Sequence, residues 1–265
     1  MSYPISISSC FDYNIPLEEQ MKHISKAGFR YISLGSNLEH SKLFEDARAE
    51  QIKNALDEND LRIDTIHFSQ CLTGDNWQSV MKRTMLIAKK LNCSVIVVHC
   101  TSFMGKEIKS EDDINMLSSS VTELEMMCEK YGVKVALENL CPGMATDVLE
   151  KMLEITNPEY IGFCYDSSHD QIDGPRAMSL LEKWKHRLIT VHISDRIKPF
   201  TDHVTIGEGF INFDEFAEII NTIDFDFPLL MEVAKTNSQY QDTDEILKNA
   251  YSGAYRIMQK VKEQS

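Results

Sequence analysis

The stretch Ser94-Val95-Ile96-Val97-Val98-His99 puts four apolar β-branched residues in a row and ends them on an imidazole. A strand with one wet face alternates apolar and polar side chains. An unbroken apolar run is the pattern of a strand covered on both faces, as in a parallel sheet. Comparable β-rich runs recur at residues 3–8, 31–34, 61–67, 134–138, 160–166, 188–193 and 228–233, which makes eight with 94–99. Helical patterns lie between them. Pro16 opens the first, ahead of Leu17-Glu18-Glu19-Gln20-Met21. Residues 111–131 carry Ile114, Leu117, Val121, Leu124 and Cys128 on one stripe, and Gly132 stands where a helix-terminating glycine belongs. Residues 86–92, 147–155, 214–223 and 244–261 repeat the theme.

Strict alternation of eight strand and helix units predicts an α/β fold, a single (β/α)8 TIM barrel forming one domain over residues 1–265. That length fits the ~250 residues typical of such a barrel. An open doubly wound sheet is the main competitor, but it would carry a glycine-rich phosphate turn after its first strand. Here that position reads Ser8-Ser9-Cys10-Phe11-Asp12, without glycine.

Composition narrows the class of function. The formal net charge of −14 is the reverse of a nucleic-acid footprint, so nucleic acid is not an expected partner. Seven cysteines with no C-x-x-C pair point to a reduced, cytoplasmic setting. No apolar run approaches the ~20 residues of a membrane span, and the first residues lack the pattern of a signal peptide.

The chemistry lies where polar residues fall on apolar strands. The third run ends in His67, the fourth in His99, the fifth in Glu138 and the sixth in Asp166; His192 and Glu232 stand near the ends of the seventh and eighth. In a barrel those ends share one rim, so these groups converge on one mouth. Three carboxylates, with no Lys or Arg on the same strand ends, call for a compensating cation, and a divalent metal supplies it. Mixed Glu/Asp/His ligation suits zinc, manganese, iron or cobalt better than calcium. Each residue also has a plainer reading. A single His ending a strand is commonly structural, Glu138 in Leu137-Glu138-Asn139 can cap the next helix, and Asp166 in Asp166-Ser167-Ser168-His169 can form an Asx turn or N-cap.

The set Val98-His99, Ala136-Leu137-Glu138-Asn139, Cys164-Tyr165-Asp166-Ser167-Ser168-His169, Val191-His192-Ile193-Ser194-Asp195, Gly207-Glu208-Gly209 and Met231-Glu232 resembles the xylose-isomerase-like barrel superfamily. Its members include sugar and sugar-phosphate isomerases and epimerases, inosose-processing enzymes and endonuclease IV. The resemblance implies that Glu138, Asp166, His192 and Glu232 hold one divalent metal, with zinc or manganese the first expectation. It implies a substrate-contacting role for His169, with His67, His99, Arg196 and His203 as further substrate-binding candidates. By analogy with endonuclease IV, His67 and His99 would instead join Glu138 at one metal and His169 and His203 would help hold another, giving up to three. That enzyme has Asp-x-His before its Ile-Gly-Glu-Gly, whereas here Thr201-Asp202-His203 stand before Ile206-Gly207-Glu208-Gly209, a departure that counts against a third metal.

The expected activity is therefore a metal-dependent isomerase or epimerase of a ketose or sugar phosphate. Glu138 and Glu232 would act as the catalytic pair, one removing an α-proton and the other returning it, through an enediolate. The alternative is an endonuclease IV-like phosphodiesterase acting on abasic DNA, which needs more metals and a basic rim; a barrel that binds without catalysing is a third. The expected partner is a small sugar or sugar phosphate, with a homo-oligomer as the expected assembly. Arg196 and Lys235 are the cations placed to meet a phosphate, against a supporting or solvated role. Phe11, Phe68 and Phe103 follow strands and are candidates to wall the pocket.

Overall fold

A computed structural model of the protein describes residues 4–197 and 201–263. Eight parallel strands stand in a ring: β1 (Ile5–Ser8), β2 (Tyr31–Leu34), β3 (Arg62–Cys71), β4 (Val95–His99), β5 (Lys134–Glu138), β6 (Ile161–Asp166), β7 (Leu188–His192) and a last barrel strand, Leu229–Met231. Between β7 and that last strand an antiparallel hairpin, β8 (Asp195–Ile197) and β9 (Thr201–Val204), is inserted, so the last barrel strand is β10. Neighbours pair in chain order, with β10 beside β1. The ring closes between β7 and β10 through the Ile193–Met231 bridge. There the Ile193 N–H donates to Leu230 O at 2.8 Å and the Glu232 N–H donates to Ile193 O at 3.0 Å. The chain is a (β/α)8 TIM barrel, as the alternation of its runs predicts.

The helices cover the outside. They include α1 (Leu17–Lys26), α2 (Leu38–Ser41), α3 (Arg48–Glu58), α4 (Trp77–Lys90), α5 (Glu111–Tyr131), α6 (Met144–Ile155), α7 (Ser167–Asp170), α8 (Ser179–Trp184), α9 (Phe213–Ile220) and α10 (Thr243–Glu263). Local chemistry sets their ends. Ser110 and Asp113 form a reciprocal capping box at the start of α5, and Gly132 ends that helix with φ of +69°. The large apolar core fills the layer between strands and helices, with Trp77 and Trp184 both buried in it. A separate buried group of small residues, Val97, Ala136 and Cys164, has Val95 and Ile189 packed against it.

Several boundaries differ from the sequence pattern. The expected first strand begins at Tyr3, which lies outside the described residues. β3 continues to Cys71 rather than stopping at His67, with its pairing to β4 shifting between those two residues. The helix read at 86–92 runs from Trp77 to Lys90, and its buried face starts with Trp77, Met81, Thr84 and Met85, ahead of the stretch read from the sequence. Short α2, α7, α8 and the hairpin carry no periodic signal, and the pattern of runs does not predict them.

Gly162 on β6 shows how tightly the bottom of the ring is filled. A Cβ built there would sit 2.6 Å from Ile189 Cγ1 and 2.8 Å from Ile189 Cγ2. Gly162→Ala is expected to destabilise the fold by about 1–3 kcal/mol, the usual cost of overpacking. Adding Ile189→Ala should return part of that loss in denaturant unfolding, whereas strictly additive effects of the two changes would contradict the packing assignment.

Candidate active site

Four consecutive barrel strands, β4 to β7, end in His99, Glu138, Asp166 and His192. Register makes them neighbours. His99 pairs with Glu138 across β4 and β5, and Asp166 with His192 across β6 and β7. Glu232 comes one residue after β10, where its own N–H bond to Ile193 seats it beside β7.

Glu138 is the hub. Its side chain is fully buried, and four imidazoles surround it. Oε2 lies 3.1 Å from His67 Nε2 and 3.0 Å from His99 Nε2. Oε1 lies 3.2 Å from His192 Nδ1 and 3.4 Å from His169 Nδ1. Glu138 therefore caps no helix; α6 begins after Gly143 instead. His192 Nδ1 also reaches Glu232 Oε2 at 2.7 Å. His203, from the hairpin, places Nε2 at 3.7 Å from Glu232 Oε2 and 3.9 Å from Asp166 Oδ2.

Asp166 divides its labour. Oδ1 accepts the His169 N–H at 2.7 Å and caps the short α7. Oδ2 is buried and has no hydrogen-bond partner. The side chain of Asn139 fixes this strand end, donating from Nδ2 to Asp166 O at 2.9 Å and accepting the Asp166 N–H at 2.8 Å. His169 is turned by Asn139 as well, through its Nδ1 contact with the Asn139 carbonyl at 3.0 Å.

The ligand atoms of Glu138, Asp166, His192 and Glu232 lie within 4.8 Å of one another. A buried carboxylate oxygen without a donor, among two more carboxylates and an imidazole, fits a divalent cation by donor type. His67, His99 and Glu138 form one flanking group, and Asp166, His169 and His203 another. Among the described residues no Lys or Arg is paired with Glu138, Asp166 or Glu232.

Protonated histidines balance the charge when no cation does. Burial pushes the Glu138 carboxyl up, but the charges of His192 and His99 and bonds from His169 and His192 outweigh it and hold it well below the usual range. Glu232 is held low in the same way by His192 and His203. Burial would lower His192, yet Cys164, Glu232 and Glu138 raise it well above an ordinary imidazole. His203 is also raised against burial, by Asp202, Glu232 and Asp166. Two groups go the other way: burial dominates at Asp166 and raises it, and burial lowers His99.

The two cations read from the sequence point elsewhere. Arg196 is buried, with Nη1 donating to the Ser168 carbonyl at 3.2 Å and lying 3.5 Å from Asp202 Oδ2. Lys235 Nζ sits on Asp12 Oδ2 at 2.6 Å and Thr243 Oγ1 at 3.1 Å. Of the three phenylalanines, Phe11 and Phe68 are buried in the core outside the ring. Phe103 is 39% exposed and meets His169 edge to face, with centroids 5.2 Å apart. Three neighbours of the cluster are not among the site candidates read from the sequence: Cys10, whose Sγ lies 3.9 Å from Glu232 Oε1; Asn139; and Asp202, 3.4 Å from His203 Nδ1.

Residues 21–250 match the family model described as xylose isomerase-like TIM barrel. The chain belongs to that family. Among curated relatives, the inosose dehydratase of Clostridium perfringens strain 13 is 21% identical over 281 residues, covering 94% of this chain and 90% of its own. A solved D-tagatose 3-epimerase-like protein superposes with a TM-score of 0.80 at 20% identity, covering 98% of this chain and 99% of its own. The IOLI protein, solved with a bound zinc atom, gives a TM-score of 0.80 at 18% identity and 99% coverage of both chains. At these identities the solved structures establish the fold alone. Within this xylose isomerase-like barrel, the conspicuous Gly207-Glu208-Gly209 is scaffold: Asp195 accepts from Gly207 and Gly209, and Glu208 accepts from Thr205 and Ser238.

The pKa directions set a pH profile for the protein stripped of metal by chelation. His192 and His203, raised on folding, contribute stability that is full below about pH 6.5 and is lost as pH rises through their folded values. Glu138 and Glu232, lowered on folding, contribute above about pH 4.3 and lose it as pH falls through theirs. Unfolding midpoints should therefore peak between about pH 4.3 and 6.5 and decline as pH rises beyond that window. His192→Asn should flatten the alkaline decline; a midpoint that climbs steadily above pH ~7 in the stripped protein would contradict the charge assignment.

Proposed function

We propose that this chain is a divalent-metal-dependent isomerase or epimerase of a sugar ketone, working by proton transfer through an enediolate. The observation that carries the proposal is the convergence of Glu138, Asp166, His192 and Glu232 at one buried point, with Asp166 Oδ2 left without a hydrogen-bond partner. The relatives named inosose dehydratase and D-tagatose 3-epimerase-like protein support a sugar substrate, and the zinc of the IOLI protein supports a metal.

Those four residues would hold the ion, zinc or manganese. When bound, it supplies Lewis-acid polarisation of a substrate carbonyl and its neighbouring hydroxyl. The rest falls to the chain. Glu232 is the more accessible of the two glutamates, with 10% side-chain exposure against none for Glu138, and takes the α-proton from the open side. Glu138, set deeper with His67 and His99 on Oε2, would relay a proton from the His67 imidazolium to the opposite side of the carbon, while Glu232 keeps the one it removed. His169 and His203 flank the mouth, at 5.4 Å between ring centroids, where they can hold substrate hydroxyls. The small floor of Val97, Ala136 and Cys164 keeps water away from the base of the cluster.

A second reading has one observation in its favour. The two flanking groups, His67/His99/Glu138 and Asp166/His169/His203, give the site the layout of a multi-metal phosphodiesterase of endonuclease IV type. The net charge of −14 weighs against a DNA-binding rim.

Elemental analysis separates the two. One ion per chain, lost in Glu232→Gln, is expected; near three per chain with cleavage of abasic DNA would reverse the ranking. Glu232→Gln should also lower solvent deuterium uptake at the ketose α-carbon by about 10²–10⁴-fold. No uptake with any of a broad ketose panel would remove the enediolate mechanism. Because His192 is raised, its proton must leave for the nitrogen to ligate, so metal affinity should strengthen as pH rises from about 6 to 8. Titration in buffers of different ionisation enthalpy should register the released proton.

A further inference from the structure

We infer that Asn139 is a positioning residue whose side chain frees its own backbone carbonyl to hold His169; this rests on the isomerase or epimerase reading, in which His169 meets substrate hydroxyls. β5 and β6 pair in register from Val135 with Ile161 to Glu138 with Cys164. One more ladder bond follows, from the Asn139 N–H to the Cys164 carbonyl at 3.3 Å. In a parallel ladder the next bond runs back from the other strand, here from the Asp166 N–H to the Asn139 carbonyl. That bond is replaced. The Asp166 N–H donates at 2.8 Å to Asn139 Oδ1 instead, and Nδ2 of the same amide donates to the Asp166 carbonyl at 2.9 Å. The backbone carbonyl of Asn139 is thereby released, and His169 Nδ1 lies 3.0 Å from it. A carbonyl only accepts, so this bond keeps a proton on Nδ1 and leaves Nε2 as the ring nitrogen it does not engage.

The exchange demands a short side chain that both accepts and donates. Asn carries the two groups on one carbon, Asp keeps the acceptor alone, and Ala has neither. Asn139 and Asp166 are both 0% exposed, so water does not compete for these bonds. Asp166 Oδ1 in turn accepts the His169 N–H at 2.7 Å. The backbone of His169 is therefore placed by Asp166, its ring by Asn139, and Asp166 itself by Asn139. One buried amide thus sets a metal-ligand candidate and a substrate-contacting histidine relative to each other. Without that amide the Asn139 carbonyl is free to return to the Asp166 N–H, which closes the ladder and lets the His169 ring turn.

Two readouts test this. By nuclear magnetic resonance of isotope-labelled histidine in the metal-free protein, the His169 Nδ1 proton should exchange with water at least about 10-fold faster in Asn139→Ala than in the wild type. In the metal-loaded protein, Asn139→Ala should raise the KM of a ketose by about 10-fold and change kcat by less than about 2-fold. Added to His169→Ala, it should change KM no further. Asn139→Asp, nearly isosteric and still offering the acceptor, should stay within about 3-fold of the wild type in both readouts. Unchanged proton exchange in Asn139→Ala overturns the inference. So does a loss in Asn139→Asp as large as that in Asn139→Ala, or a KM effect that adds in full to that of His169→Ala. Failure of the parent reading looks different: no ketose α-proton exchanges with solvent in the wild type, while the His169 Nδ1 proton still responds to Asn139→Ala.

Discussion

The upper end of the barrel is organised by the cost of burying Glu138. An ionised carboxylate withdrawn from water must be met by positive charge or by donors. Here four imidazoles meet it, His67, His99, His169 and His192, each brought by a different strand or strand-end turn. Glu232 and Asp166 draw on the same imidazoles and on His203. No single strand could provide this. The arrangement depends on closure of the ring, because Glu232 reaches His192 only through the bridge that ties β10 to β7.

Imidazole is the counter-charge suited to a site that must give that role to a metal. A buried Lys or Arg would neutralise the carboxylates permanently and compete with an incoming cation. A histidine can lose its proton near neutral pH and become a ligand or a neutral neighbour. The absence of Lys and Arg from the described cluster and the abundance of histidine in it therefore point the same way. Asp166 Oδ2, buried without a hydrogen bond, is the residual cost in the stripped protein.

Much of this is legible in the sequence because a doubly buried strand reads as an unbroken apolar run, and one polar residue ending it stands out. Val95-Ile96-Val97-Val98-His99 and Ile161-Gly162-Phe163-Cys164-Tyr165-Asp166 are of that kind. His67 is harder to place, since β3 runs on to Cys71 with a shifted register that no local pattern announces. Arg196 and Lys235 are readable as cations, but the sequence does not show that both are already engaged: their partners Ser168 and Asp12 are 28 and 223 residues away in the chain. Asp166 carries two readings, cap and site, and the structure gives one oxygen to the cap and leaves the other facing the cluster. The hairpin is invisible because its strands are short and pair with each other, outside the barrel's periodicity.

The hairpin explains why the Gly-Glu-Gly loop is built as scaffold. His203 has φ of +54°, a left-handed conformation uncommon for a non-glycine residue. Hydrogen bonds restrain it. The Ala234 N–H donates to the His203 carbonyl at 2.6 Å, and Asn237 Nδ2 donates to Asp202 O at 2.9 Å. Glu208 accepts from Thr205 on one side and from Ser238 and the Gln239 N–H on the other, joining the loop after β7 to the loop after β10. Those two loops carry His203 and Glu232, whose side chains meet at 3.7 Å. A carboxylate placed away from the chemistry thus sets the distance between two groups placed at it. The loop holds its shape through Asp195 and its neighbours through Glu208, so the imidazole at the mouth is positioned by backbone restraints.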